Sequence, residues 1–215
     1  MTKKTTNIIL LMLIAAAAII GAILYPSLPD KVASHWNAAG EADGTMSKFW
    51  GVFLLPMIMA GLFLLYLIIP RVDPLRANIE SFRKHYNIFW VFMFAFFIYI
   101  FGLTMVWNLG HRFNFTMTII PAMSALLYAI GFIIEKSKRN WFVGIRTPWT
   151  LSSDIVWEKT HKLGGKLFKV AAVLSLFGLF LRGESAIVAT LIVPVMAVSV
   201  ITIVYSYLEF RRQNK

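Results

Sequence analysis

The dominant pattern along the chain is an alternation of long apolar runs with shorter polar connections. A hydrocarbon core of about 30 Å is crossed by about 20 residues of α-helix, so apolar runs approaching that length predict membrane-spanning helices. Six such runs occupy residues 7–25, 49–69, 88–107, 115–134, 167–181 and 185–208. The pattern therefore predicts an all-α integral membrane protein with six transmembrane helices. The fifth run is short, so its helix either begins inside the preceding loop or carries Lys166 and Lys169 to the head groups.

Composition agrees with this fold class. The 215 residues are 59% hydrophobic and 14% charged, which is too apolar for a soluble globular domain. There is no cysteine, and this excludes disulfides, thiolate metal sites and thiol catalysis.

Basic residues are concentrated in alternate connections. Of the 21 Lys and Arg residues, only Lys31, Lys48, Arg112 and Arg182 fall in the other connections. Because cytoplasmic loops carry the excess of Lys and Arg, this asymmetry predicts that both termini are cytoplasmic. The net charge of +11 is not accompanied by a nucleic-acid recognition motif, so we expect anionic membrane lipids, and no direct nucleic acid binding.

The first long polar segment, residues 26–48, is predicted to lie outside the cell as a small ordered cap. Prolines fix extended backbone at its start, and Asn37 to Gly40 and Asp43-Gly44 supply two turns. In one interpretation Trp36 dips into the membrane interface and His35 bonds to backbone. In the other, the cap is a ligand-binding surface. Its candidate residues are His35, Trp36, Asn37, Glu41 and Asp43. A metal site there lacks a defined ligand spacing.

The second long polar segment, residues 135–165, is predicted to be cytoplasmic. Cap-forming residues up to Asp154 predict the start of a short amphipathic helix with Lys159 and Lys162 on its polar side. This helix would lie in the interface plane until Gly164-Gly165 lets the chain turn into the fifth span.

Titratable residues of this segment offer candidate chemistry. Glu158 and His161 are adjacent on one helical face, which is half of a di-metal signature, but no second pair exists. Arg146 precedes Pro148 on a rigid turn and suits a carboxylate or phosphate. One hypothesis is therefore a membrane enzyme or transporter that acts on lipid head groups through Arg146, Asp154, Glu158 and His161. Another is a scaffold that recruits a soluble partner to residues 136–166.

The apolar runs themselves contain no ionisable residue at their cores. Ion-coupled transport and intramembrane proteolysis are therefore disfavoured, and we predict no catalytic residue, metal or cofactor. Each half of the chain has a span, a long loop and two further spans. We divide it into 1–109, with the outer loop 26–48, and 110–215, with the loop 135–165. These halves have the layout of a weak inverted repeat, as in some transporters.

Both polar segments resemble known sequences. The inner segment is similar to the signature of the SdpI family of bacterial immunity proteins, and the outer one looks like a domain often joined to it. The inner matches are Gly144, Arg146, Thr147, Pro148, Trp149, Asp154, Trp157, Glu158 and His161, and the outer ones include His35, Trp36, Asn37, Glu41 and Asp43.

This resemblance implies a function. Such proteins are multi-pass proteins of the bacterial cytoplasmic membrane, are not enzymes, and protect the producing cell from a secreted peptide toxin. Some also signal by holding a cytoplasmic repressor at the membrane. The resemblance therefore implies immunity to a toxin met at the outer loop, with a repressor as an expected second partner.

Overall fold

The structure is a computed structural model that describes residues 1–181 and 183–213, so the charge assigned to Arg182 lies outside the described residues. Within these ranges the elements are α1 Lys3–Leu24, β1 Lys31–Trp36, β2 Ala42–Ser47, α2 Lys48–Val72, α3 Arg76–Ser81, α4 Arg83–Asn108, α5 Phe115–Lys136, α6 Pro148–Ser152, α7 Asp154–Leu176 and α8 Glu184–Gln213. Short 3-10 turns, Tyr25–Ser27 and Phe177–Phe180, extend α1 and α7.

Six helices are long and apolar enough to cross a membrane, which confirms the predicted fold class of an all-α integral membrane protein. They are α1, α2, α4, α5, α7 and α8. An even number of spans brings both termini to one end of the bundle, here called the terminal end. The other end is called the hairpin end.

The fifth span begins inside the preceding loop, which confirms one of the two expectations for it. Helix α7 starts at Asp154, where the Ser153 hydroxyl accepts the Val156 N–H at 3.3 Å. The expected turn at Gly164-Gly165 was wrong, because the helix passes through both glycines without interruption. A Cβ on Gly165 would lie 2.6 Å from the carbonyl oxygen of Gly131 in α5. The glycines allow two spans to approach closely and do not bend the chain.

The outer loop contains β structure that the prediction lacked. Strands β1 and β2 form an antiparallel hairpin in which Val32 pairs with Met46 and the register shifts beyond Ala33. Its turn ends at Gly40, which has a φ of +79° that favours glycine. Val32 is fully buried against Gly51 of α2, so the hairpin closes one end of the bundle.

Packing is organised around aromatic side chains in the first half of the bundle. Buried residues of α1, α2 and α4 form one apolar cluster with the underside of the hairpin. Its aromatic members are Tyr66, Phe82, Tyr86, Trp90, Phe94 and Phe101. Helices α5, α7 and α8 pack together, and α4 and α5 contact each other. Many large apolar residues on the outer faces of the spans are exposed, as a lipid environment requires.

Candidate functional site

An apolar cavity of about 370 Å³ lies beneath the hairpin. It is bounded by β1 and by the hairpin-end portions of α2, α4 and α5. Among the residues that line it are Trp36, Trp50, Leu54, Phe101, Phe115 and Ile119. A volume in this range is typical of small-ligand pockets, in which apolar and aromatic walls predominate.

Trp36 forms part of the cavity wall and packs on the ends of two spans. Its ring stacks on Phe115 with centroids 3.9 Å apart, and it meets the Trp107 ring edge-on at 5.7 Å. Trp36 is therefore packed on the aromatic rings of two spans and is not a free anchor in the membrane interface. Its indole N–H is buried and is left without a hydrogen-bond acceptor among the described residues.

The other candidate residues of the outer loop divide into two groups. His35 lines the cavity, and its Nδ1 lies 2.5 Å from Asp43 Oδ1, so it bonds a side chain and not backbone. Asn37 closes the turn, because its side-chain oxygen accepts the Glu41 N–H at 3.0 Å. Glu41 and Asp43 are exposed and do not line the cavity. The structure thus brings His35 and Trp36 to the cavity and leaves the other three on the hairpin surface.

Two asparagines that sequence reasoning missed fix the hairpin to the spans. The Asn108 side chain accepts the Ala33 N–H at 2.7 Å and donates to the Ala33 carbonyl at 3.1 Å, as a neighbouring strand would. The Asn114 amide donates to the Ala39 carbonyl at 2.8 Å. Asn108 is 8% exposed, at the end of an apolar run. An asparagine at the end of an apolar run was the signal available in the sequence, because a buried amide needs hydrogen-bond partners.

At the terminal end, the loop between α5 and α7 is folded around one asparagine. This loop, residues 137–153, is here called the signature loop. The Asn140 amide donates to the carbonyls of Lys138 and Val143 at 2.8 and 2.9 Å. Its oxygen accepts the N–H groups of Phe142 and Val143 at 2.9 and 2.6 Å. A fully buried side chain with four bonds to its own loop has a structural role.

Two residues of the α2–α4 connection tether the signature loop. The buried Asp73 carboxylate accepts the Trp141 N–H at 2.9 Å, and the Asn78 amide donates to the Arg139 carbonyl at 2.7 Å. Sequence reasoning missed both, because their partners lie more than 60 residues away. The end of α2 that lies at the terminal end of the bundle is thereby joined to the signature loop.

His161 is the centre of the signature contacts, and it is 1% exposed. Its Nδ1 lies 2.7 Å from the Trp157 carbonyl, which can only accept, and its Nε2 receives the Ile145 N–H at 2.9 Å. These partners assign the neutral ring with the proton on Nδ1. Gly144, with a φ of +124°, leaves room for the ring, because a Cβ there would overlap it. Both nitrogens are occupied, so His161 is neither a free base nor an open metal ligand.

The remaining signature residues build the start of α6 and anchor α7. Thr147 and Thr150 form a capping box, with Pro148 at the first turn of α6, and the Thr147 hydroxyl lies 3.0 Å from that of Ser206 in α8. The Trp149 ring lies 5.1 Å from that of Tyr207. In α7, the Trp157 indole stacks on the His161 ring at 3.9 Å, and its N–H donates to the Ser137 carbonyl at 3.1 Å.

The four residues of the head-group hypothesis are not assembled into one site. Asp154, Glu158 and His161 line a polar cavity of about 280 Å³, whereas Arg146 lies outside it. Asp154 pairs with Arg139 at 2.7 Å. Among the described residues, no three His, Asp or Glu side chains are grouped to hold a metal.

Comparisons with known proteins match two separate segments of the chain, one that contains the hairpin and one that contains the signature loop. Residues 12–60, which include the hairpin, match a domain of unknown function (DUF1648), and residues 136–206 match the SdpI/YfhL protein family. The chain is 25% identical over 193 residues to the immunity protein SdpI of Bacillus subtilis (strain 168), covering 89% of each chain. No solved structure matches. The chain is thus a multi-pass protein of the cytoplasmic membrane that is similar to the SdpI/YfhL family over residues 136–206.

Proposed function

We propose that this chain is a membrane immunity protein that protects its producer from a secreted peptide toxin, and that the toxin is met at the hairpin end. The relative that is 25% identical to the chain is an immunity protein, and this supports the general function. The cavity beneath the hairpin supports the place of contact. The basic terminal end, cytoplasmic by the charge prediction, then faces the interior.

The observation that carries this proposal is the aromatic lining of the cavity. An apolar toxin reaches the hairpin end through the outer surface of the bilayer, where Trp36 and Trp50 provide large apolar contact area. The buried indole N–H of Trp36 has no acceptor among the described residues, so a toxin group that reached it would gain a donor for a peptide carbonyl. The exposed pair of His35 and Asp43 at the rim supplies polar contacts.

The connections between the two ends support a proposed signalling role. Helix α2 lines the cavity and is followed directly by Asp73, whose carboxylate accepts the Trp141 N–H of the signature loop. Helix α5 also lines the cavity and leads directly into that loop. A toxin that favours one arrangement of α2 and α5 would therefore change how the signature loop is presented to a cytoplasmic repressor. In this proposal the half 1–109 carries the toxin-facing hairpin and the half 110–215 carries the repressor-facing loop.

Protection can be tested in the native host after deletion of the gene. Cells without the protein are exposed to spent medium from toxin-producing cells, and survival is compared after return of the wild-type protein, Trp36→Ala or Trp141→Ala. We expect Trp36→Ala to lose protection. Trp141→Ala is the matched control, since its ring is 50% exposed at the opposite end. Full protection by Trp36→Ala at equal membrane abundance would overturn the proposed contact site.

Signalling can be tested separately from protection. The full chain is captured from host membranes with and without spent medium, and co-purified soluble proteins are compared. We expect toxin-dependent recruitment that Trp141→Ala reduces while protection is retained. Equal recruitment by the wild type with and without spent medium would remove the signalling role and leave the immunity function in place.

A further inference from the structure

A second groove, of about 450 Å³, lies between the signature loop and the faces of α7 and α8. Residues of the loop form its rim at the terminal end, and side chains of the two spans form its walls. Its lining includes Arg146, Pro148, Trp149, Phe168, Thr202 and Ile203. Neither the immunity function nor the cavity beneath the hairpin uses this groove.

The walls of the groove offer apolar surface and few free hydrogen-bonding groups. Its hydroxyls are already engaged, because Thr202 donates to the Val198 carbonyl at 2.8 Å and Ser199 donates to the Val195 carbonyl at 2.9 Å. The Ile203 side chain, 48% exposed, continues the groove onto the membrane face of α8. A ligand in this part of the groove therefore gains apolar contact and few hydrogen bonds.

The rim, in contrast, carries an available cation. Arg146 is exposed, and its guanidinium donates to the Trp141 carbonyl at 2.7 Å. No carboxylate among the side chains that the structure describes forms an ion pair with it, whereas Arg139 and Lys159 each have one. A guanidinium has five N–H donors in a planar fork, so Arg146 retains donors for two oxygens of one anion.

We propose that this groove binds a phospholipid with a net negative head group, whose phosphate contacts Arg146 and whose acyl chain lies between Phe168 and Ile203. A single cation above an apolar trough is complementary to an amphiphile with one anionic end. The bilayer supplies such molecules on the face where the groove opens. The bound lipid would join the signature loop to α7 and α8.

The test uses the purified full chain in detergent and measures retained lipid by native mass spectrometry. Phosphatidylglycerol is titrated against wild type, Arg146→Gln and Arg112→Gln. Arg112 is the matched control, since it also donates to the carbonyl of a tryptophan five residues earlier at 2.7 Å, but it lies over the Trp107 ring at the hairpin end. We expect Arg146→Gln to weaken retention about tenfold and Arg112→Gln to leave it unchanged.

A second variant separates the acyl-chain contact from the charge. Ile203→Trp fills the groove while Arg146 stays in place, so we expect the same loss of phosphatidylglycerol. Phosphatidylcholine should bind less tightly than phosphatidylglycerol, and glycerol phosphate should not compete. Equal retention by the two arginine variants, full retention by Ile203→Trp, or competition by glycerol phosphate would each overturn the proposal.

Discussion

Two pairs of polar residues at opposite ends of this bundle differ in how they are engaged. At the terminal end, Asn140 and His161 are buried, and every hydrogen-bonding atom of their side chains contacts the protein itself. At the hairpin end, His35 is exposed, and the indole N–H of Trp36 has no acceptor among the described residues. Asn140 and His161 are therefore engaged in shaping the terminal end, whereas the exposed His35 ring at the hairpin end can be reached by a ligand.

This difference has an energetic consequence. Removing one member of a buried hydrogen bond leaves its partner unsatisfied, at a cost of about 1–3 kcal/mol for each group. Exposed polar groups exchange their partners for water at little cost. Substitutions in the signature loop should therefore reduce stability, and substitutions of similar kind in the hairpin should affect mainly function.

The largest effect is expected for Asn140→Ala. The change leaves two N–H groups and two carbonyls of the signature loop without their partner, so we expect a loss of about 3 kcal/mol or more in the free energy of unfolding. The matched change Asn37→Ala removes one side-chain bond at an incompletely buried turn and should cost about 1 kcal/mol. Denaturant unfolding in detergent measures both. Equal losses of unfolding free energy for the two variants would show that the asparagine bonds stabilise the signature loop no more than the hairpin turn.

A smaller effect is expected for His161→Phe. Phenylalanine preserves the stack on Trp157 but leaves the Ile145 N–H and the Trp157 carbonyl without their side-chain partner, at a cost of about 2 kcal/mol. His35→Phe should change stability by less than about 0.5 kcal/mol, because that ring is exposed. Thermal unfolding of the two variants compares them directly. If His161→Phe were as stable as wild type, the two bonds would not hold the loop.

The sequence predicted the spans well because each depends on a local apolar run. It predicted the start of α7 only as one of two options, since cap residues and apolar content there are separated by a polar stretch. The pair Gly164-Gly165 misled because glycine usually breaks helices in water, whereas between membrane spans it permits close packing. The deciding contact, from Gly165 to Gly131, lies in another helix and is not visible locally.

The candidate sites were less predictable than the fold. The signature residues were found because they are adjacent in sequence, but their arrangement around Asn140 required the loop to close on itself. The cavity beneath the hairpin required β1 to meet three spans, and its anchor Asn108 lies 75 residues from its partner. Strand β1 was missed because only Val32 and Ala33 are buried, which is not the alternation of a half-buried strand.

Asn108→Leu should loosen the hairpin while leaving the terminal end intact. Leucine keeps the volume but loses both bonds to Ala33, so we expect a local cost of about 1–2 kcal/mol. Amide hydrogen exchange should then be faster in residues 31–47 and unchanged in the signature loop. Faster exchange in both regions would show that the two ends unfold together and would weaken the distinction between them.

The smallest effect concerns a surface ion pair on the terminal side. Arg83 donates hydrogen bonds to Glu80, and this lowers the pKa of that carboxyl. A carboxyl with a lowered pKa in the folded state stabilises the protein above its unfolded pKa of about 4.3, and the contribution is lost as the pH falls through the folded pKa. Because Glu80 is 56% exposed, Glu80→Gln should cost only a few tenths of a kcal/mol at neutral pH, and the difference from wild type should vanish in acid.

Asp30→Asn is the control, because it breaks a longer contact of 3.8 Å with Lys48 at the hairpin end and should have no measurable effect at either pH. A pH-independent cost of Glu80→Gln in unfolding titrations would show that packing of the side chain, and not its charge, is what α3 requires.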